Sequence, residues 1–297
     1  MISLFCPRAL APFCMRAANF PQAHVCTLFD VQAKLPVNLA WGPNNSGKRE
    51  LASLLSGWLD PGDLLLMDSG FAGFAMFYQL LENGIDFVIR LPDDGMLKDI
   101  MTFVRENRRD KIMTLSPPQT LRRKQKALGL PVPPPIRLCI VKVRTAKGKS
   151  VLLATSLLDK SEIKASDLRR LYRLRWEEEE FFKLIKEFLG AEDFRGKSAP
   201  LIDQEIAAVH LYCLLARILI MESALAHGFL PSEIAQQAAF HATSRFLDRL
   251  LTARSRSQAL ALFKDCLAEI SWKRYKKRPG RVFPRKSRSR TGKWARK

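Results

Sequence analysis

Alternation between apolar and polar residues organises the first third of this chain of 297 residues. Short apolar or alternating runs predict four strands, at residues 24–29, 35–41, 64–67 and 86–91. Apolar residues at helical spacing predict two helices, at residues 49–58 and 71–83. We expect Ser46 to cap the first helix and the first two strands to form a hairpin.

The rest of the chain changes character twice. Residues 93–135 are polar and irregular, with a basic cluster at residues 122–126. Ile136–Arg144 and Ser150–Thr155 then predict a second hairpin. From Ser166 to about Tyr275 the spacing is mostly helical. Together these patterns predict an α/β fold with a helical C-terminal part.

Charge narrows the choice of partners. The chain has 49 Lys and Arg against 29 Asp and Glu, a net charge of +20. Such an excess indicates a polyanion, either nucleic acid or an anionic membrane surface. Residues 273–297 contain thirteen Lys or Arg and no acid, so we expect a tail that is disordered until it meets that partner.

Cysteine, histidine and hydropathy exclude other classes. The six Cys are scattered, no C-x-x-C pair occurs and only four His are present, so a zinc-type site is not expected. Scattered thiols favour a reducing cytoplasm. The apolar stretch 207–228 holds His210, Arg217 and Glu222, and these favour a buried helix over a membrane span.

The segment Gly42–Lys48 matches the first seven positions of the phosphate-binding loop G-x-x-x-x-G-K-[ST]. The eighth position should carry a hydroxyl that ligates magnesium, but here it is Arg49. A structural strand-to-helix turn is therefore favoured over an ATP-binding loop. Asp68, at the end of the predicted strand 64–67, still needs a role, because an acid at the end of a buried strand is costly.

Residues 166–189 predict an amphipathic helix capped by Ser166. At 100° per residue, one arc of about 60° holds Tyr172, Arg175, Glu179 and Lys186. The predicted buried face is opposite and consists of Leu174, Phe181, Leu184, Ile185 and Phe188. On this projection Glu177 points toward the apolar side and Glu178 and Glu180 point sideways. A carboxylate beside two cations and a phenol suits metal binding next to a DNA phosphate; a solvated, salt-bridged helix face is the alternative.

These residues carry a resemblance to a known family. Tyr172-x2-Arg175-x3-Glu179-x6-Lys186 resembles the Y-R-E-K signature of bacterial insertion-sequence DDE transposases. Asp68-Ser69-Gly70-Phe71 is similar to the second-acid motif, D-x-G-[FY], of that family. The C-terminal stretch from Arg278 through Arg281 to Arg285 resembles its basic C-terminal motif. The likeness covers roughly residues 20–290.

The resemblance implies a ribonuclease-H-like mixed sheet in which Asp68 and Glu179 are catalytic acids. They would be ligands of a two-metal Mg²⁺ or Mn²⁺ site. It implies DNA contacts for Tyr172, Arg175, Lys186, Arg278, Arg281 and Arg285. The implied partners are transposon ends and target DNA, and pairing two ends implies a homodimer. No nucleotide cofactor or membrane is expected, and the expected location is the bacterial cytoplasm, at the nucleoid.

The resemblance also implies a division of the chain. We expect an atypical N-terminal segment at 1–20, the first part of the core at 21–92 and a β-rich insertion at 93–160. The catalytic helix and a helical part follow at 161–272, and the basic tail at 273–297.

One expected acid is missing from its position. The family's first Asp lies on its first strand, but here no Asp or Glu precedes Asp30. Asp30 falls at a hairpin turn and is a poor substitute. The metal site is therefore expected to be incomplete, and we predict a truncated or frame-shifted transposase with impaired activity. The alternative is a non-catalytic remnant that binds DNA or competes for it.

Overall fold

The computed structural model describes residues 2–5, 22–43, 46–93, 98–106, 108–144, 148, 150–159, 161, 163–189, 194–196 and 198–275. The chain divides into two compact units, Met1–Arg217 and Ile218–Lys297. The first unit contains all of the described strands and the residues of the predicted site. The second is helical where it is described.

A three-stranded antiparallel sheet begins the first unit. It consists of β1 (Ile2–Phe5), β2 (Gln22–Asp30) and β3 (Leu35–Pro43), in that spatial order. The predicted hairpin is confirmed, since β2 and β3 pair with Val25 opposite Trp41. Its turn is held by Asp30, whose Oδ1 accepts hydrogen bonds from two backbone N–H groups, those of Gln32 and Ala33, at 2.8 and 2.9 Å.

A five-stranded mixed sheet follows. Its strands are β4 (Leu64–Met67), β5 (Asp86–Arg90), β6 (Asp110–Leu115), β7 (Ile136–Arg144) and β8 (Ser150–Thr155). Their spatial order is β4-β5-β8-β7-β6. Among the described strands of this sheet only β4 and β5 run parallel, and α2 (Phe74–Glu82) makes the crossover between them. The predicted α/β class with a mixed sheet is confirmed, and the arrangement is consistent with a ribonuclease-H-like fold.

Residues 93–135 look irregular in sequence but are largely regular in the structure. This segment contains α3 (Lys98–Arg105), the edge strand β6 and α4 (Gln119–Ala127). Strands β7 and β8 also do not stand apart, because β8 pairs with β5 and extends the main sheet. Sequence pattern shows a hairpin but not which other strand it will pair with. The predicted domain boundaries themselves stay a prediction.

The first helix is shorter than predicted. It is α1 (Lys48–Leu54), followed by a separate 3-10 turn at Ser56–Trp58. Ser46 does not cap it, since Gly47 is the N-cap residue and no side chain caps this end. Ser46 instead packs on the end of β3. A Cβ on Gly42 would lie 2.6 Å from Ser46 Oγ, so a larger residue there would require the Ser46 side chain to move.

One hydrophobic core joins the two sheets of this unit. Cys26 and Ala40 from the three-stranded sheet share a cluster with Met67 and Phe71 at the end of β4. Phe77 and Phe87 are fully buried in it, with ring centroids 5.4 Å apart. Burying each such side chain contributes about 1.5–3 kcal/mol. The core therefore fixes the end of β4, where Asp68 follows.

The predicted helix 166–189 is two helices, α5 (Ala165–Leu174) and α6 (Trp176–Phe188). Ser166 is not the cap, because α5 begins at Ala165 after Lys164. At the junction, Arg175 N–H bonds to Tyr172 O and Glu178 N–H bonds to Arg175 O, both at the i to i+3 spacing of a tighter turn.

The tighter turn changes which residues are buried. Phe181 and Ile185 are buried as predicted, Leu184 is half-buried, and Phe182 is buried as well. Leu174 was predicted to be buried but is 39% exposed, because the single projection ignored the break. The side chain of Phe188 lies outside the described residues.

The helix α7 (Ala199–His227) follows. Its segment Pro200–His227 is long and apolar enough to cross a membrane by length and composition, with a mean hydropathy of 1.6. One such helix is weak evidence for a membrane span, since core helices pass the same test. Ile202, Cys213 and Leu219 on this helix are buried within the protein.

The second unit is helical, as predicted for this region. Its core joins the end of α7 to α8 (Gln236–Leu250) and α9 (Arg256–Trp272). Ser223 Oγ donates to Leu267 O at 2.7 Å inside this unit, and Phe240 is fully buried. Of the predicted basic tail, residues 276–297 lie outside the described part of the chain, and so do Arg278, Arg281 and Arg285.

Candidate active site

Asp68 occupies the turn that follows the buried end of β4. Its Oδ1 accepts a hydrogen bond from Gly70 N–H at 2.8 Å. A Cβ on Gly70 would lie 3.0 Å from that oxygen and 3.5 Å from Lys48 Cδ. The glycine of the D-x-G segment therefore leaves room for the carboxylate, and the side chain of Lys48 passes beside it.

Tyr172, Arg175 and Glu179 form a connected group across the junction of α5 and α6. Arg175 Nη2 lies 2.5 Å from Glu179 Oε1, and the guanidinium carbon lies 5.6 Å from the centre of the Tyr172 ring. The side chain of Arg175 is only 16% exposed, and its Nε has no hydrogen-bond partner among the described residues. The predicted grouping of these three residues is thus present in the structure.

Burial and pairing affect the ionisation of this group. Burial raises the pKa of the Tyr172 hydroxyl, although Arg175 opposes the shift. Burial alone would lower the pKa of the Arg175 guanidinium, but the hydrogen bond to Glu179 and the neighbouring Tyr172 outweigh it and the pKa is raised. Arg175 therefore stays a cation held at a defined position.

A single large cavity brings the separate parts together. Its volume is about 880 Å³, and Asp68, Arg175, Glu179 and Lys186 all line it. Asp68 and Glu179 are more than one hundred residues apart in sequence, so only the fold places them on one cavity. Tyr172 contacts the cavity through Arg175 and is not itself among the lining residues.

The structure adds an acid that the helical projection had placed to the side. Glu178 also lines the cavity, and burial raises the pKa of its carboxyl group, with Arg175 opposing the shift and Asp68 adding to it. The tighter turn at Arg175 rotates the residues that follow, so a uniform 100° per residue could not locate Glu178.

Cys26 is the second residue that the sequence reasoning missed. It lies on β2, lines the same cavity, and burial raises the pKa of its thiol to about 11, with contributions from Glu178 and Asp68. Nothing in its sequence surroundings distinguished it from the other five cysteines.

Glu177 makes a contact of a different kind. Its Oε2 lies 2.7 Å from the Nζ of Lys34 in the turn of the first hairpin. The projection pointed Glu177 toward the apolar face of α6, but in the structure its carboxylate pairs with Lys34 instead. This ion pair ties the hairpin to the first turn of α6 and so helps to place Glu178 and Glu179.

The donor set fits a divalent cation in type but not in number. Carboxylate oxygens are the ligands that Mg²⁺ and Mn²⁺ prefer, and Asp68 and Glu179 supply them on one cavity. No group of three His, Cys, Asp or Glu among the described residues is arranged to hold a metal ion. Asp30 lines the cavity, but one of its oxygens is used by the hairpin turn.

A mixed sheet whose terminal acid shares a cavity with an acid on a later helix is the arrangement of a DDE nuclease core. Residues 14–215 match the transposase DDE domain family, which is more than half of the chain. The chain belongs to this family, and the predicted membership is confirmed. That its helix carries the Y-R-E-K signature stays an interpretation.

The chain is also similar to two known proteins. The chain is 25% identical over 282 residues to the transposase InsG for insertion sequence element IS4 of Escherichia coli strain K12. That match covers 93% of this chain and 62% of the relative, so the chain spans less than two thirds of the relative's length. A solved structure, the synaptic complex of piggyBac transposase with hairpin DNA, aligns with a TM-score of 0.48 and 13% identity over 91% of this chain and 56% of that one.

Proposed function

We propose that this chain acts on DNA as the catalytic core of an insertion-sequence transposase whose cleavage activity is impaired. The observation that carries the proposal is the shared cavity, which brings Asp68 together with the Arg175–Glu179 pair and Lys186. Acids that would hold metal thus lie beside cations that would hold phosphate. That combination suits phosphodiester chemistry better than it suits any reaction on a neutral substrate.

Each residue has a distinct proposed role. Asp68 and Glu179 would hold Mg²⁺ or Mn²⁺, which when bound activates a water or a DNA 3′-hydroxyl and stabilises the leaving oxygen. Arg175 orients the Glu179 carboxylate and presents positive charge to the DNA backbone. Lys186, three turns along α6 from its start, contacts a neighbouring phosphate. Tyr172 supports the guanidinium of Arg175 through its ring.

The proposed impairment rests on the count of acids. No Asp or Glu precedes Asp30 in the sequence, and Asp30 is engaged in its own turn. A two-metal site normally uses three carboxylates, so two leave the metals weakly held. The proposed partners are transposon ends and target DNA, bound by a homodimer at the bacterial nucleoid, with Arg278, Arg281 and Arg285 of the tail as further DNA contacts.

The DNA-binding part is tested by neutralising the cavity cations. We expect R175Q/K186Q to weaken binding of a fluorescent duplex by roughly tenfold, about the value of one charge-assisted hydrogen bond. The matched control is R169Q/R173Q, which removes two exposed charges of α5 that do not line the cavity. Equal losses in the two variants, measured by fluorescence anisotropy at fixed salt, would sink the assignment of the cavity.

The cleavage part is tested with end-labelled DNA from the termini of the element that encodes the chain. We expect cleavage in Mg²⁺ or Mn²⁺ to be weak, and abolished by D68N and by E179Q. Efficient turnover by the unmodified chain would show that the site is complete and the impairment wrong.

A second candidate function is DNA binding without any catalysis, favoured by the same shortage of acids. It predicts that D68N and E179Q bind DNA as well as the unmodified chain does and that no product forms at any metal concentration. Even slow product formation that depends on Asp68 excludes this candidate.

A further inference from the structure

A long acid-free segment of the chain contributes no residue to the cavity. Residues 111–158 contain ten Lys or Arg and no Asp or Glu. At the chain's average of 29 acids in 297 residues, about five would be expected there. The segment includes β6 without its first residue, Asp110, and all of α4, β7 and β8. A surface built from it has no internal acids to neutralise its cations.

Some of these cations have structural roles. Lys111 Nζ lies 2.7 Å from Glu106 Oε1. Lys142 Nζ donates to the backbone oxygens of Val104 and Glu106, and it lies 4.6 Å from the centre of the Phe103 ring. Lys111 and Lys142 therefore hold α3 against the sheet and are not available to a partner.

Helix α4 carries exposed cations that have no such structural role. Arg123, Lys124 and Lys126 are exposed, and within the described residues none of them has an ion-pair partner. Arg137, near the start of β7, is also exposed and has no ion-pair partner among the described residues. Neighbouring like charges on one short helix repel each other, so this arrangement costs stability unless a polyanion neutralises it.

The helix is nevertheless held at a defined place. No residue of α4 is fully buried, but Leu121 packs against the main core. Arg122 Nε also donates to Pro117 O at 2.9 Å, just before the helix. Arg123, Lys124 and Lys126 are therefore held on an anchored helix rather than on a loose segment.

We propose that α4, together with Arg137, is a surface that binds the phosphate backbone of duplex DNA outside the cleavage cavity. None of these residues lines that cavity. A nine-residue helix is about 13 Å long, close to the width of about 12 Å of the major groove, so its cations can reach phosphates on both sides. Duplex DNA is favoured over a membrane because Leu121, the large apolar residue in the first turn of α4, already packs against the core. The inference rests on the proposed function only in taking DNA as the partner.

The test measures the salt dependence of binding to a random-sequence duplex of about 30 base pairs. Each phosphate neutralised contributes about 0.9 to the slope of log K against log salt. We expect R123Q/K124Q/K126Q in the full chain to lower that slope by about 2–3. At low salt its affinity should fall by roughly 10–100-fold. The basic tail is unchanged in this variant, so the slope difference isolates α4.

The matched control is R254Q/R256Q/K264Q, which removes three exposed cations from the second unit. Its slope should change by less than about 1, and R123K/K124R/K126R, which keeps the charges of α4, should retain the unmodified slope. Because these side chains are exposed and the change in α4 removes like-charge repulsion, circular dichroism melting should show no variant to be less stable than the unmodified chain. Equal slope losses in the α4 variant and the control would overturn the inference.

Two further outcomes are distinguishable. If the unmodified chain binds no duplex at all, the proposed function fails and the α4 inference fails with it. If the unmodified chain binds and R175Q/K186Q weakens binding while the α4 variant does not, only the α4 inference fails. Binding to vesicles containing 30% phosphatidylserine that requires α4, without any α4 effect on DNA, would assign the surface to membranes and overturn the inference.

Discussion

At the residue scale, the candidate site depends on a few close approaches that side-chain identity alone explains. Asp68 is held by the backbone N–H of Gly70, and Glu179 is held by Arg175. In both pairs the acid and its partner are close in sequence, so the D-x-G segment and the R-x3-E spacing were enough to predict that they lie together. Glu178 and Cys26 reach the same cavity from elements whose relative placement no spacing encodes.

Gly70→Ala tests the first of these approaches. The added Cβ would lie 3.0 Å from Asp68 Oδ1, so the carboxylate must move away from the Gly70 N–H. We expect Mn²⁺ affinity, measured by calorimetry, to fall by roughly tenfold, as for other losses of a group that orients a ligand. The control is Gly57→Ala, whose Cβ would meet nothing within 4 Å. Unchanged Mn²⁺ affinity in Gly70→Ala would contradict the role given to this contact.

At the element scale, the junction between α5 and α6 is the main departure from expectation. A uniform helix would put Leu174 on the buried face and Glu178 to the side, but the tight turn at Arg175 exposes the first and buries much of the second. The pairing of β8 with β5 is a similar case. Local periodicity identifies an element, whereas its exact phase and its neighbours depend on contacts made elsewhere.

The Lys34–Glu177 ion pair couples two of these elements. Its atoms lie 2.7 Å apart, and the side chains are 27% and 34% exposed. A double-mutant cycle with K34N and E177Q should give a coupling free energy of about 0.5–1 kcal/mol that shrinks at high salt. Asn is chosen because Lys34 has φ 56°, a conformation that Asn tolerates. Additive losses in chemical denaturation would mean that the pair does not hold α6 to the hairpin.

At the scale of the whole molecule, burial determines how reactive the cysteine thiols are. Four cysteines, at positions 26, 139, 213 and 266, are buried in the described part of the chain and are not in disulfides. Burial raises the pKa of Cys213 to about 12 and that of Cys266 to about 11, from an ordinary 9.0. These thiols therefore belong to the packing of the two units.

The raised pKa values predict slow alkylation of these thiols in the native protein. A raised pKa means less thiolate at a given pH, so at pH 8 about one Cys266 in a thousand is ionised, against about one in ten for an ordinary thiol. We expect iodoacetamide to label Cys213 and Cys266 at least a hundredfold more slowly in the native protein than in urea. Peptide mass spectrometry resolves each site. Equal rates in the two states would show that these thiols are not enclosed.

The sequence by itself determined the elements and the chemistry. Periodicity located the two hairpins, the strands that became β4 and β5, and the helical second half, because burial on one face imposes a repeat that is local. Residue types at short spacing also identified Asp68, Arg175 and Glu179, since each motif lies on one turn or one helix surface. Only the tertiary structure decided that Asp68 and Glu179 share a cavity and that β8 joins β5. It also placed Glu178 and Cys26 beside them and left three cations of α4 without an ion-pair partner among the described residues. Such placements arise from packing between distant segments, which leaves no periodic trace in either one.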